Sequence, residues 1–485
     1  MEIINQIVES MSKEDIRHYK LYASRMNYAH DRKDQELFNM MRLQGKDFEE
    51  AKALHKLYRS GDKNAYYRLK NRLLSHLNKS LLLQHMDHDE SISILALLSL
   101  YMFHASRQNF EVARYYLARA ERRALAIEYV ELLDIIYSEF IKLSNEIIQV
   151  NPEIYIAKRK ANNDKLYVLR EIDQVLAAVS YRLKLGQNYA SSNTSILRLL
   201  EKTIRDFSKD KKVAGSKTFR LKVASAVSRI LLQKHDYTGL ENYLTGTFKK
   251  LVQQKAFNKS NHEIKLQLLT YLVNSLFKNK KYRESLQYAT QLHQSMIEYD
   301  HLLYDKYLIF YYNALVINYS ATAIDKAIDL LEKLKAEGLG RKNQFYEFFI
   351  YLNLGICYFE KKDFDRAIKH LIKMSLMDSY RKSDKSLQLK IGIAELMIRF
   401  ELQEFDTMEY RMKQLRKDFR PLLLEPEQQR EAAMLELLQD MMHSRSTLPD
   451  PKLQDKMKKF VRISQQQSDD TDVIKYVPWV SEKMR

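Results

Sequence analysis

Similar short segments recur about every 41 residues in the second half of the chain, and this period is the feature that most constrains the fold. In each segment an aromatic or Ile residue precedes small and apolar residues at helical spacing, as in KKYRESLQYATQL. The residues at that position are Tyr237, Tyr282, Ile324, Phe364 and Phe405, separated by 45, 42, 40 and 41 residues. A repeat of this length is one supersecondary unit, which buries its apolar face only against its neighbours. The period therefore predicts a stacked array of helix pairs.

The scarcity of glycine and proline favours an all-α fold. The 485 residues include only 10 Gly and 6 Pro, and no proline lies between Pro152 and Pro421. Average proteins contain about 7% Gly and 5% Pro. The tight turns of β-sandwiches and the Gly-rich loops of nucleotide-binding sheets depend on these residues. We therefore expect an all-α protein, an α-solenoid of antiparallel helix pairs.

The clearest unit is YLNLGICYFEKKDFDRAIKHLIKM, residues 351–374. Its first half places apolar residues on one face of a helix, and its second half, after Lys361, Lys362 and Asp363, repeats that pattern on another helix. Because Gly355 and Ala367 are small, we expect the two helices to approach closely at these residues. The predicted packing residues are Tyr351, Leu354, Gly355, Tyr358, Phe364, Ala367 and Leu371.

This unit resembles the tetratricopeptide repeat, whose pattern is W-x2-L-G-x2-Y followed by A-x3-F and P. Leu354, Gly355, Tyr358 and Ala367 match, while Tyr351 replaces the Trp, Leu371 the Phe and Ser379 the Pro. The tetratricopeptide unit has 34 residues, so a period near 41 predicts helices about one turn longer. HEAT-type arrays have periods near 40 and remain an alternative. The resemblance implies a scaffold for protein–protein contacts.

The first 90 residues do not follow the period, and we predict that residues 1–90 form a helical cap. Ser12 is a candidate N-cap, and a long helix is expected over about residues 64–84. Its apolar side would carry Tyr66, Leu69, Leu73, Leu77 and Leu81. The ends of repeat arrays need such closing elements.

The remaining chain divides into the array and its C-terminal elements. Phe110 lies 127 residues before Tyr237, about three further periods, so we predict seven or eight helix pairs over residues 91–420. C-terminal helices are expected over residues 421–466, and a tail over residues 467–485 that contains the only Trp, Trp479. Residues 472–484 are apolar enough to dock on the last repeat or in the groove.

Positive charge is concentrated in one segment. The chain has 80 Lys+Arg and 62 Asp+Glu, a net charge of +18, and residues 155–223 alone carry 16 bases and 6 acids. A helical stripe followed by a basic loop is typical of a surface that contacts phosphates or another anionic partner, although a solvated outer face would look the same. The candidate contact residues are Arg198, Lys202, Arg205, Lys209, Lys211, Lys212, Lys217, Arg220 and Lys222.

The sequence indicates no catalytic, metal or cofactor site. Phosphate-loop, dinucleotide, serine-hydrolase and common zinc motifs are absent. Cys357, the only cysteine, is interpreted as a core residue, and His85 and His88 lie among acids at a spacing that favours a helix cap over a metal site. With no secretory signal or apolar run of membrane-spanning length, we expect a cytoplasmic protein with no membrane partner.

These features favour a non-catalytic helical-repeat scaffold that binds a protein or peptide on its concave face. The alternative is a nucleic-acid- or ribosome-associated factor, or a regulatory one, that contacts phosphates through residues 155–223. No enzyme activity is expected.

Overall fold

A computed structural model describes residues 3–26, 33–45, 48–58, 62–87, 89–185, 217–233, 235–339, 344–425, 428–444, 451–464 and 473–484. Every regular element in these ranges is a helix, so the protein is all-α, with neighbouring helices packed in a solenoid-like manner. The chain forms two compact units, Met1–Val168 and Leu169–Arg485. The domain boundaries expected at residues 90, 420 and 466 remain predictions.

The first unit consists of α1 to α8 and the beginning of α9. These helices are α1 (Ile3–Ser10), α2 (Lys13–Met26), α3 (Lys33–Gln44), α4 (Glu50–Leu57), α5 (Lys63–His85), α6 (Glu90–Ala105), α7 (Phe110–Ala126), α8 (Val130–Leu143) and α9 (Pro152–Leu185). Ser12 caps α2 as expected, since its Oγ accepts from the N–H of Asp15 at 3.1 Å and its own N–H donates to Asp15 Oδ2 at 2.8 Å. The long helix expected over residues 64–84 is α5.

The second unit contains successive antiparallel helix pairs. Its helices are α10 (Lys217–Gln233), α11 (Tyr237–Gln253), α12 (His262–Lys278), α13 (Tyr282–His301), α14 (Tyr304–Thr322), α15 (Ile324–Ala336), α16 (Gln344–Glu360), α17 (Phe364–Ser375), α18 (Asp378–Arg381), α19 (Lys385–Glu401), α20 (Phe405–Asp418), α21 (Arg420–Leu423), α22 (Gln429–Ser444), α23 (Pro451–Ser464) and α24 (Tyr476–Lys483). The first helices of consecutive pairs also touch, as α10 touches α12, α12 touches α14 and α14 touches α16.

Each residue that defines the 41-residue period opens the second helix of a pair. Phe110, Tyr237, Tyr282, Ile324, Phe364 and Phe405 are the first residues of α7, α11, α13, α15, α17 and α20. In most of these pairs a non-glycine residue in the left-handed region precedes the second helix by two positions, as Lys280, Lys362 and Gln403 do at φ 62°, 62° and 58°. The N–H of the following residue then donates to a carbonyl in the last turns of the first helix, as Lys281 N–H does to the carbonyl of Leu276 at 2.9 Å. This is the Schellman geometry, which usually uses glycine.

The helices of the pair α16 and α17 meet at the predicted small residues. Tyr351, Leu354, Tyr358, Ala367 and Leu371 are buried in one core, and Phe364 packs against it half-buried. A Cβ at Gly355 would lie 2.7 Å from Leu371 Cδ2 and 3.5 Å from the Ala367 carbonyl oxygen. The absence of a side chain at Gly355 therefore allows α17 to approach this closely, with Leu371 as the nearest neighbour.

Candidate functional site

The exposed side of α14 carries an aromatic residue, Phe310, that faces solvent. This helix, YDKYLIFYYNALVINYSAT, has aromatic or aliphatic residues around its whole circumference. Phe310 is 44% exposed, and Asn313 and Ile317 follow it at helical spacing on the same face. A helix that is apolar on all sides is normally buried, so an open apolar face on α14 requires a functional explanation.

Specific contacts align α14 with the first helices on either side of it. Lys306 of α14 pairs with Glu263 of α12 at 2.5 Å, and the hydroxyl of Tyr346 in α16 donates to the carbonyl of Asp305 at 3.2 Å. On α16, Phe345 is 58% exposed, while Phe349 and Ile356 are half-buried and pack against the core of the second unit. We name this set the first-helix surface, consisting of Phe310, Asn313, Ile317, Phe345, Phe349 and Ile356.

The equivalent first helix of the next pair, α19, is covered. All of its residues from Ser386 to Arg399 except Leu387 are buried. Residues of the C-terminal segment 473–484, which are apolar and buried, belong to the same core, namely Val473, Ile474, Tyr476, Trp479 and Val480. The tail therefore packs within the second unit, against α23 and the end of α19.

A carboxylate at the end of α19 anchors this C-terminal segment. Trp479 Nε1 donates to Glu401 Oε1 at 2.6 Å, and Lys483 Nζ lies 2.7 Å from the same oxygen. The ring of Phe400 meets the indole edge-to-face at 5.7 Å. A further ion pair joins Glu482 to Lys362 in the turn before α17. The docked helix α24 thus combines a buried aromatic anchor with hydrogen bonds and ion pairs around it.

Groups with shifted pKa values lie mainly in packing positions. Burial lowers the pKa of His370, which stacks on Tyr358 at 5.4 Å, and nearby Lys335 lowers it further. Burial likewise raises the pKa of the Cys357 thiol, which lies 3.4 Å from Ser320 Oγ and which the sequence had suggested as a core residue. A buried, protonated thiol is a poor nucleophile.

Within the described part of the chain, no group of three or more His, Cys, Asp and Glu residues is arranged to hold a metal ion. His85 Nε2 donates to Asp15 Oδ1 at 2.9 Å, and this hydrogen bond joins the end of α5 to the start of α2. His88 lies outside the described residues.

The predicted anionic-partner residues are only partly visible. Arg198, Lys202, Arg205, Lys209, Lys211 and Lys212 lie outside the described residues. Of the other three, Arg220 donates to Gln254 Oε1 at 2.6 Å and Lys222 pairs with Asp173 at 2.5 Å, while Lys217 is exposed at the start of α10. The polar contacts of Arg220 and Lys222 are thus made to groups of the protein itself.

Sequence reasoning missed a second cationic surface, on α7. Arg114, Tyr115, Ala118, Arg119 and Arg122 line a cavity of about 500 Å³. The signal in the sequence was the run RYYLARAERR, which places arginines and tyrosines on adjoining helical faces.

Comparison with known proteins adds no identity to this geometry. No protein-family model matches the sequence, and no curated protein matches it either. Among the described helices, none combines the length and the apolar character needed to cross a membrane.

Proposed function

We propose that this chain is a non-catalytic helical-repeat protein, with tetratricopeptide-like pairs, that binds a segment of a protein partner on its first-helix surface. The observation that carries the proposal is the exposure of Phe310 and Phe345 on neighbouring first helices. Contiguous exposed apolar residues on a folded protein indicate an interaction site. The close approach at Gly355 and the 41-residue period support the repeat assignment.

The docked C-terminal segment indicates what kind of partner would fit. It packs on α23 and contacts the end of α19, a counterpart of α14 and α16, as a short helix with one buried aromatic anchor, Trp479. Aromatic anchors in apolar grooves dominate the energetics of many interfaces, and helices that lie in grooves do so through residues at helical spacing. We therefore propose an amphipathic partner helix with an aromatic or large aliphatic anchor that contacts Phe310 and Phe345.

Site-specific photo-crosslinking in cells tests this function in the full chain. A photoreactive phenylalanine analogue replaces Phe310, and in a parallel chain it replaces Tyr410, which is 68% exposed on the second helix α20. We expect a discrete crosslinked protein product from position 310 and none from position 410. The substitution Phe345→Asp should abolish the product at position 310, whereas Tyr410→Asp should leave it unchanged.

Two results would contradict the proposal. One is the absence of any crosslinked protein at position 310 in cells that express the folded chain. The other is a product that forms equally at positions 310 and 410, or that survives Phe345→Asp. Thermal unfolding of each variant shows whether the fold is retained. The nucleic-acid alternative through residues 155–223 stays a prediction.

A further inference from the structure

An arginine–aromatic band runs across the end of α6 and along α7 in the first unit. The Arg107 guanidinium lies 4.1 Å from the centroid of the Phe103 ring, and Phe103 meets His104 edge-to-face at 5.2 Å. His104 stacks on Tyr116 at 5.5 Å with an interplanar angle of 15°. The band is defined as Phe103, His104, Arg107, Tyr115, Tyr116 and Arg119, and it borders the cavity on α7.

Tyr115 lies at the other end of the band, next to Tyr116. Its ring meets Tyr116 edge-to-face at 5.3 Å, and its hydroxyl accepts from Arg119 at 3.5 Å. Two of the band's rings remain open to solvent, since Phe103 is 47% exposed and Tyr115 is 59% exposed. Exposed parts of both rings therefore lie next to exposed guanidinium groups.

The acids of α7 neutralise only part of the positive charge of this surface. Glu121 is buried and pairs with Lys158 of α9 at 2.7 Å, so its charge is directed away from the surface. Glu111 pairs with Arg114 at 3.1 Å. Within the part of the chain that the structure describes, Arg107, Arg119 and Arg122 are exposed and form no ion pair.

We infer that this surface binds single-stranded nucleic acid. Guanidinium groups contact phosphates with two parallel hydrogen bonds, and exposed aromatic rings stack on unpaired bases whatever their sequence. Arg114, Tyr115, Arg119 and Arg122 line an open depression of about 500 Å³ on α7, where a strand can contact the arginines from the solvent side.

The combination of groups favours this ligand over other polyanions. An acidic polypeptide would satisfy the arginines but would offer no base to stack on the exposed ring of Tyr115. A duplex would also satisfy the arginines, but its bases are stacked on one another and do not offer their faces to a protein. The inference concerns a surface in the first unit, so it is independent of the function proposed for Phe310 and Phe345 and of residues 155–223.

Binding of a fluorescein-labelled oligouridylate to the full chain, followed by anisotropy, tests the inference. The variant Arg119→Gln/Arg122→Gln removes two charges from the surface, and Lys249→Gln/Lys250→Gln removes two exposed charges from α11 as the matched control. Each phosphate contact with a single strand contributes about 0.7 to the slope of log K against log salt. We expect the α7 variant to reduce this slope by about 1.4, and the control to leave it within error.

Tyr115 separates stacking from charge. We expect Tyr115→Leu to weaken binding by about fivefold to a hundredfold, the loss that accompanies removal of one base–aromatic stack. Tyr115→Phe retains the ring and should retain the affinity.

Four outcomes would overturn the inference. They are undetectable binding at about 50 mM salt, equal losses in the α7 variant and its α11 control, equal affinities of Tyr115→Leu and Tyr115→Phe, and tighter binding of polyglutamate or of a duplex than of the single strand. Circular dichroism and thermal melts show whether each variant is folded, and Tyr115→Phe provides a reading even if Tyr115→Leu unfolds.

Discussion

Removal of the Glu401 side chain should release the C-terminal segment from α19 without unfolding the rest of the second unit. Glu401 accepts from Trp479 Nε1 at 2.6 Å and pairs with Lys483 at 2.7 Å. A hydrogen bond to a charged group contributes about 1.5–3 kcal/mol. The ion pair adds up to about 1 kcal/mol, because Lys483 is still partly exposed. We therefore expect Glu401→Ala to weaken docking by about 1.5–4 kcal/mol.

The chain carries its own probe for this experiment, because Trp479 is its only tryptophan. With the indole 5% exposed, docked protein should emit at short wavelength, and undocking should shift the emission to longer wavelength. In a urea titration of Glu401→Ala, the emission shift should precede the loss of helical circular dichroism. Glu401→Gln retains an oxygen acceptor for the indole and should give an intermediate result.

Lys362→Ala is the control, since it removes the ion pair with Glu482, whose side chains are 66% and 55% exposed. Exposed ion pairs contribute about 0–1 kcal/mol, so the emission transition should move little. If Glu401→Ala and wild type show the same urea midpoint for tryptophan emission, the assignment of Glu401 as the anchor is wrong.

Three further predictions concern the packing of the pairs. Gly355→Ala should destabilise the protein by about 1–3 kcal/mol, because the added Cβ would meet Leu371. Gly246→Ala should stabilise α11 by about 0.5–1 kcal/mol, because a Cβ there would have no neighbour within 4 Å. Equal effects of the two substitutions in thermal melts would contradict the close approach at Gly355. Lys280→Gly should raise the stability by about 0.5–1 kcal/mol, since φ is 62° there, and a lower melting temperature would refute this. Burial and Lys335 lower the pKa of His370, so the unfolded state takes up the proton first and stability falls as the pH drops below about 6.5. His370→Phe should remove up to about 1.4 kcal/mol per pH unit of this dependence in urea titrations, and an unchanged pH profile would exclude the residue as a contributor.

The positions where second helices begin could be predicted from sequence because they depend on local, repeated features. An aromatic or Ile residue is the first residue of each second helix, as Tyr282 and Phe364 are, and such residues recur about every 41 residues. The turns themselves could not be predicted as left-handed. A helix end of this kind normally has glycine at the left-handed position. This chain has Lys280, Lys362 and Gln403 there instead. A Lys or Gln in the sequence indicates only a polar, exposed position.

The α7 surface was missed because net charge was counted along the chain. Residues 1–168 carry 26 Lys+Arg and 23 Asp+Glu, a near balance that indicates no cationic site. Folding separates these charges, since Glu121 turns inward to Lys158 while Arg119 and Arg122 remain at the surface. Which acid neutralises which base is decided by contacts between helices, and a charge count over consecutive residues does not contain that information.

The difference between α14 and α19 follows from what each has beside it. Both are apolar first helices, and each must cover the side that faces away from its pair. For α19 the chain supplies most of that cover with its own helices, among them α22, where Glu431 pairs with Lys390 of α19 at 3.2 Å. Trp479 contacts only the end of α19, and the helix is buried along almost its whole length. On α14 the side chain of Phe310 remains 44% exposed. Because burial of a Phe side chain stabilises a complex by about 1.5–3 kcal/mol, a partner helix that covered Phe310 and Phe345 would bind with most of its energy at these two residues.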